Sequence, residues 1–314
     1  MRAAYWLVII AALLMCSCGT RSEGEADELP DLNAMWNYDN PAATEARFES
    51  LIPLARESGD VDYYAQLLTQ IARSQGLQRK FAEADATLDS AYEAIEDDKS
   101  VGMARYLLER GRVYNSSGDP EVSRGYFLRA RDLAVEIGAD FYAIDALHML
   151  GIVDPPEMQM EWNLLALDLA ERSGDERARK WRGSLYNNIG WTYHDLGEYE
   201  QALEMFERSL VFREEQNDSA GVLIAGWTIA RTNRSLGHIE DALATQLALE
   251  KTVEEYSLPP DGYVYEEIAE CLLLLDREQE AKAYFALAYG IFSGDEYMVA
   301  NETERLERLD QMSR

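Results

Sequence analysis

The stretch LYNNIGWTYHDLGEYEQALEMFERSL, residues 185–210, decides the fold. Tyr186, Ile189 and Tyr193, then Tyr199, Ala202 and Phe206, recur at intervals of about three to four residues, so each set lies along one face of a helix. Gly190 sits between them, where a small residue lets two helices approach closely. Weaker copies of the pattern recur along the chain, with Ala72, Gly111, Gly151, Gly190, Ala230 and Ala269 in the small position and spacings of 39, 40, 39, 40 and 39. Neither helix of such a pair can bury its apolar face alone. Stacking successive pairs buries all of them as one core, which is the logic of a solenoid.

These residues resemble the tetratricopeptide repeat, a helix-turn-helix unit of about 34 residues with small and aromatic positions in this order. The longer period here resembles the long-helix variant seen in bacterial regulator sensor domains and in some scaffold proteins. The resemblance implies an all-α, right-handed α-solenoid. Six repeats are expected over residues 61–294, with capping helices at 41–60 and 295–314. Second-helix pairs support the register: Ala84 with Leu88, Ser123 with Phe127, Ala202 with Phe206 and Ala281 with Phe285. The third and fifth copies depart, with Asn163 and Leu167 in one and Ala242 and Gln246 in the other. Helix ends are expected at ESGD (57–60), EIGAD (136–140), ERSGD (171–175) and EEQND (214–218). There Gly or Asn suits a left-handed stop and Asp can cap the next helix. Asp154-Pro155-Pro156 shortens the first helix of the third repeat, because proline cannot donate the helical hydrogen bond. That turn either opens a local pocket or is a neutral variation.

The amino terminus is of another kind. Arg2, the apolar run Leu7–Met15 and Cys16-Ser17-Cys18 resemble a bacterial lipoprotein signal, which makes residues 1–17 a signal peptide and Cys18 the lipidated residue. Bulky Met15 argues against Cys16. Gly19 lacks the Asp that retains enteric-type lipoproteins at the inner membrane, so the periplasmic face of the outer membrane is expected; ordinary cleavage, leaving a soluble periplasmic protein, is the alternative. Residues 18–40 are acidic and poor in apolar periodicity, and read as a flexible tether.

With 58 acidic against 29 basic residues and a net charge of −29, nucleic acid is not an expected partner. His148, His194 and His238 fall in different repeats, without metal-ligand spacing. No phosphate-cradling glycine loop or nucleophile elbow occurs, so neither catalysis nor a cofactor is expected. Acid pairs such as Glu214-Glu215 and Glu266-Glu267 read as solvated helix faces. Cys271, beside Leu272, reads as a buried inert thiol.

The remaining candidate site is a surface. In the tetratricopeptide superhelix the first helix of each pair lines the concave groove. Carried onto this sequence, that face holds Arg73, Arg105, Arg112, Asn187, Trp191, His194, Trp227, Arg231 and Arg234. Arginine and tryptophan together suit an acidic extended protein or peptide segment. The same arginines suit salt bridges to acids of neighbouring helices equally well. The lysine of the family's carboxylate clamp is absent. The resemblance thus implies a non-enzymatic envelope scaffold that binds protein or peptide partners, or alternatively a sensing module for a peptide or small molecule.

Overall fold

The computed structural model describes residues 29–256 and 258–314. The expected signal peptide and the lipidated Cys18 lie outside these residues. The described chain opens with α1 (Pro41–Glu49) and α2 (Ile52–Ser58), followed by α3 (Val61–Leu77) with α4 (Phe81–Ala94) and α5 (Val101–Ser117) with α6 (Pro120–Glu136). Next come α7 (Asp140–Val153) with α8 (Pro156–Arg172), the short α9 (Glu176–Lys180), and α10 (Arg182–Asp195) with α11 (Tyr199–Glu215). The last elements are α12 (Ser219–Ser235) with α13 (Ile239–Glu255), α14 (Gly262–Leu274) with α15 (Glu278–Phe292), α16 (Glu296–Asn301) and α17 (Thr303–Ser313). Each small residue of the sequence period falls on the first helix of a pair, and consecutive helices pack on one another as a solenoid requires.

Local chemistry sets the helix limits. The carboxylates of Asp60, Asp119 and Asp218 accept backbone N–H bonds at the starts of α3, α6 and α12. Gly59 and Asn217 take the left-handed conformation that stops a helix. The ERSGD end differs from expectation: Ser173 leaves α8 in an extended conformation and Gly174 is not left-handed. Between the helices, Phe127 lies over Gly111 and Phe206 over Gly190, and both rings are fully buried.

The solenoid is closed at both ends, and its amino-terminal closure corrects the expected tether over residues 29–40, its residues 18–28 lying outside the described ones. Residues 29–40 pack on the first helices instead of standing free. Leu32 is buried, the Trp36 ring meets Phe48 edge-on at 5.4 Å, and Trp36 Nε1 donates to Gln70 Oε1 at 2.8 Å. Leu32, Met35 and Trp36 are apolar residues inside an acidic stretch, and they cover the otherwise open end of the first helix pair. The single helix expected over 41–60 is two, α1 and α2, with Pro53 in the first turn of the second. At the other end Leu309 of α17 is buried in the last core cluster.

Candidate functional site

The helices α3, α5, α7, α10, α12 and α14 share one face, whose charge is settled inside the molecule. Arg73 Nη1 donates to Glu109 Oε1 at 3.1 Å, and Arg112 holds the same oxygen at 2.6 Å while bonding Asp145. Farther along, Arg234 Nε donates to Glu267 Oε2 at 2.7 Å and Arg231 bonds the other oxygen of that carboxylate. Arg105 is buried, bonded to Asn33 and Gln66, with its guanidinium over the Tyr142 ring. These contacts realise the bracing alternative for the arginines. They also correct the expected solvation of Glu266-Glu267, since both residues are buried, Glu266 paired with Arg305 of α17. Glu214 and Glu215 are exposed as expected.

One regularity made these pairs legible in principle. The acid follows its arginine by 36 residues for Arg73–Glu109 and Arg231–Glu267, and by 33 for Arg112–Asp145 and Arg234–Glu267. The offset of 36 is one repeat less about one helical turn and that of 33 one repeat less about two, so an arginine reaches the next first helix on the same face.

Electrostatics follow from burial. Burial alone would push the Asp145 carboxyl up, but the Arg112 and Arg73 guanidiniums outweigh it and hold it below the usual range. Burial lowers His148 against the pull of Asp145, and lowers His194 with Arg231 adding to the effect. The Cys271 thiol is pushed up to about 12 by burial and by Glu267, so it stays protonated. Both histidines bind a proton less readily folded than at the unfolded value of about 6.5. Their contribution to stability is therefore full above that pH and is lost as the pH falls. The melting temperature is expected to drop between about pH 7 and pH 5, and His148→Gln with His194→Gln should flatten the slope. An unchanged slope in the double variant would assign the pH dependence to other groups.

Aromatic side chains form the other half of the face. Trp191 and Trp227 lie 5.7 Å apart, Trp227 and Tyr263 5.7 Å, and Tyr263 and Phe292 4.8 Å. Arg231 sits over both tryptophans, and His194 meets Trp191 edge-on while its Nε2 lies 3.0 Å from Ser235 Oγ. The structure thus brings Trp191, His194, Trp227, Arg231 and Arg234 together and leaves Arg73, Arg105 and Arg112 as a second group, of which Arg73 and Arg105 lie against residues 33–38. Asn187 belongs to neither and lines a small hollow with Ser184 and Arg213. Beside Trp227 lies a mostly apolar pocket of about 400 Å³, walled by Leu223, Ile224, Leu249, Leu258 and Tyr263. Sequence reasoning missed Trp36, Phe292 and Arg305 as parts of this face. Among the described residues no cluster of three or more His, Cys, Asp or Glu is placed to hold a metal ion.

Residues 182–215, the α10–α11 pair, match the family model of the tetratricopeptide repeat. The chain has the fold of a tetratricopeptide-repeat solenoid. Its fold is shared with a signal transduction ATPase with numerous domains from Pyrococcus horikoshii that carries a tetratricopeptide repeat sensor. That match is 16% identical with a TM-score of 0.66, over 86% of this chain and 44% of that one. RapI in its apo form is 13% identical with a TM-score of 0.65, over 84% of this chain and 76% of that one. NprR in complex with its cognate peptide NprX is 16% identical with a TM-score of 0.51, over 90% and 81%. At these identities the likeness is one of fold. Among curated proteins none matches this chain by sequence.

Proposed function

We propose that the chain is a non-enzymatic adaptor that holds an extended protein or peptide segment on the face formed by its first helices. The observation that carries this reading is the chain's own residues 30–38, a non-helical segment seated on that same face. Tyr63 Oη donates to the Pro30 carbonyl at 2.9 Å, Gln70 accepts from Trp36, and the Arg73 guanidinium lies 5.6 Å and 5.8 Å from the Trp36 and Tyr38 ring centres. The corresponding face of α12 and α14 carries half-exposed Trp227 and 39% exposed Tyr263 beside the apolar pocket. Because the arginines are committed to Glu109, Asp145 and Glu267, the aromatic ladder and not the charge would read the partner.

Purified chain is expected to select peptides from a random decapeptide library. Trp227→Ala should weaken those peptides by about 2 kcal/mol, roughly thirtyfold, without moving the melting temperature much. Selection of no peptide, or selected peptides that bind Trp191→Ala and Trp227→Ala as well as the parent, would remove this reading. A sensing role is the second reading, favoured by the fold shared with the NprR–NprX complex and with the sensor-bearing ATPase.

We also propose that Cys18 carries a lipid that tethers the body to the periplasmic side of a bacterial envelope, supported by the apolar run ending at Ser17-Cys18. Cys18→Ala is expected to abolish metabolic labelling by a fatty acid and to shift the protein to the soluble fraction. Labelling that persists in this variant would move the site to Cys16 or end the lipoprotein reading.

A further inference from the structure

The third helix pair lacks the plug that fills its neighbours. In the second and fourth pairs a phenylalanine lies sixteen residues after the small glycine and packs on it, Phe127 on Gly111 and Phe206 on Gly190. The third pair has Leu167 at that place, and Asn163 where Ser123 and Ala202 stand. A Cβ on Gly190 would come within 2.5 Å of the Phe206 ring, whereas one on Gly151 would meet nothing nearer than the Asn163 carboxamide at 3.7 Å. A cavity of about 690 Å³ opens between α7, α8 and α10, past the Asp154-Pro155-Pro156 turn that ends α7. Its volume is that of a small-molecule site.

The charges on the wall of this cavity are of one sign, beside the neutral amides of Gln159 and Asn188 and the Thr192 hydroxyl. Asn163 is 6% exposed and lines it, yet its Oδ1 is buried with no hydrogen-bond partner. A buried acceptor without a donor is destabilising; a half-turn of the amide about Cβ–Cγ, which exchanges its oxygen and nitrogen, would bring that acceptor to a donor in the cavity and remove the penalty. Trp191 and Ile152 supply apolar surface, the carboxylates of Glu157 and Asp195 stand on the exposed side, and no Lys or Arg lines the space. His148, half-buried in the wall, is held neutral by its burial and adds no positive charge at neutral pH.

We propose that this cavity binds a cationic hydrogen-bond donor, a guanidinium or primary ammonium group on an apolar stem, with Asn163 accepting from it, Trp191 and Ile152 packing on the stem and Asp195 and Glu157 balancing the charge. The group belongs either to a free small molecule or to a basic side chain of a peptide on the first-helix face. The peptide form rests on the adaptor reading above; the small-molecule form stands without it.

The test uses the purified chain with two probes, agmatine and the blocked pentapeptide Ala-Ala-Arg-Ala-Ala, and with the same pentapeptide carrying Glu in place of Arg. Titration calorimetry and tryptophan fluorescence read the binding. Agmatine binding identifies the free-molecule source, and Arg-pentapeptide binding alone identifies the peptide source. For whichever probe binds, Asn163→Leu and the filling variant Gly151→Leu are expected to weaken it by about tenfold or more, the loss of a hydrogen bond to a charged group. Asp195→Lys should do the same. The clearance at Gly151 predicts that Gly151→Leu folds, and Asn163→Leu tests the site independently of it. Trp227→Ala should leave agmatine binding unchanged, so failure of the aromatic ladder and failure of the cavity are read apart. Binding of neither cationic probe at about millimolar concentration, equal binding of the Glu pentapeptide, or unchanged affinity in Asn163→Leu and Gly151→Leu would overturn the proposal and leave the cavity to water.

Discussion

Glu267→Ala is expected to lower the unfolding free energy by about 3 kcal/mol, measured by the denaturant midpoint. The Glu267 side chain is 2% exposed and holds two guanidiniums, whereas those of Arg231 and Arg234 are 32% and 21% exposed. Removing one member of a buried ion pair typically costs about 3–5 kcal/mol, because the partner's charge is left without compensation. Here the partners are cations near the surface that can turn toward water, which places Glu267→Ala at the low end. The double variant Arg231→Ala/Arg234→Ala should be worse, since it strands a carboxylate that has almost no access to solvent. Arg231→Ala alone should cost about 1 kcal/mol, because Arg234 remains bonded to Glu267. A midpoint within about 0.5 kcal/mol of the parent for Glu267→Ala would mean that Glu267 is solvated in solution and that the arginines are free to meet a ligand.

That experiment also weighs what the sequence can and cannot reveal. The period carried by Ala72, Gly111, Gly151, Gly190, Ala230 and Ala269 made the helix pairs legible. Close packing restricts side-chain size at those points, and a size restriction repeated at a fixed interval is visible in residue identities alone. Glu267 was not legible by the same route. An acid on a helix of a chain with net charge −29 looks solvated, and its burial depends on an arginine one helix pair away. The recurring offsets of 33 and 36 are the signal that a search for paired charges across repeats would have found. Residues 29–40 misled for a related reason. Their composition is that of a tether, and only the open apolar end of α3 gives Leu32 and Trp36 something to cover. Asn163 and Leu167 were visible as departures from the pattern, and the cavity is the physical form of that departure.

Gly190→Leu and Gly151→Leu, chemically the same substitution at equivalent points of neighbouring repeats, are expected to behave oppositely. At Gly190 even a methyl group would lie 2.5 Å from Phe206 Cε1 and 2.9 Å from Cζ, and that ring is fully buried with no room to withdraw. Overpacking of this kind costs about 1–3 kcal/mol, and a clash beginning at Cβ belongs at the upper end. Solenoid stability is a sum of units and their nearest-neighbour interfaces. Amide exchange should therefore quicken in α7–α13 and stay slow in α3–α5. Gly151→Leu meets ordinary contact distances at Cβ and extends into space that no side chain occupies. Alanine-like gains in helix propensity of about 1 kcal/mol and new apolar contacts should leave its midpoint at or above that of the parent. Equal losses at the two positions would mean that the third repeat packs as tightly as the fourth. The cavity between α7, α8 and α10 would then be closed in solution.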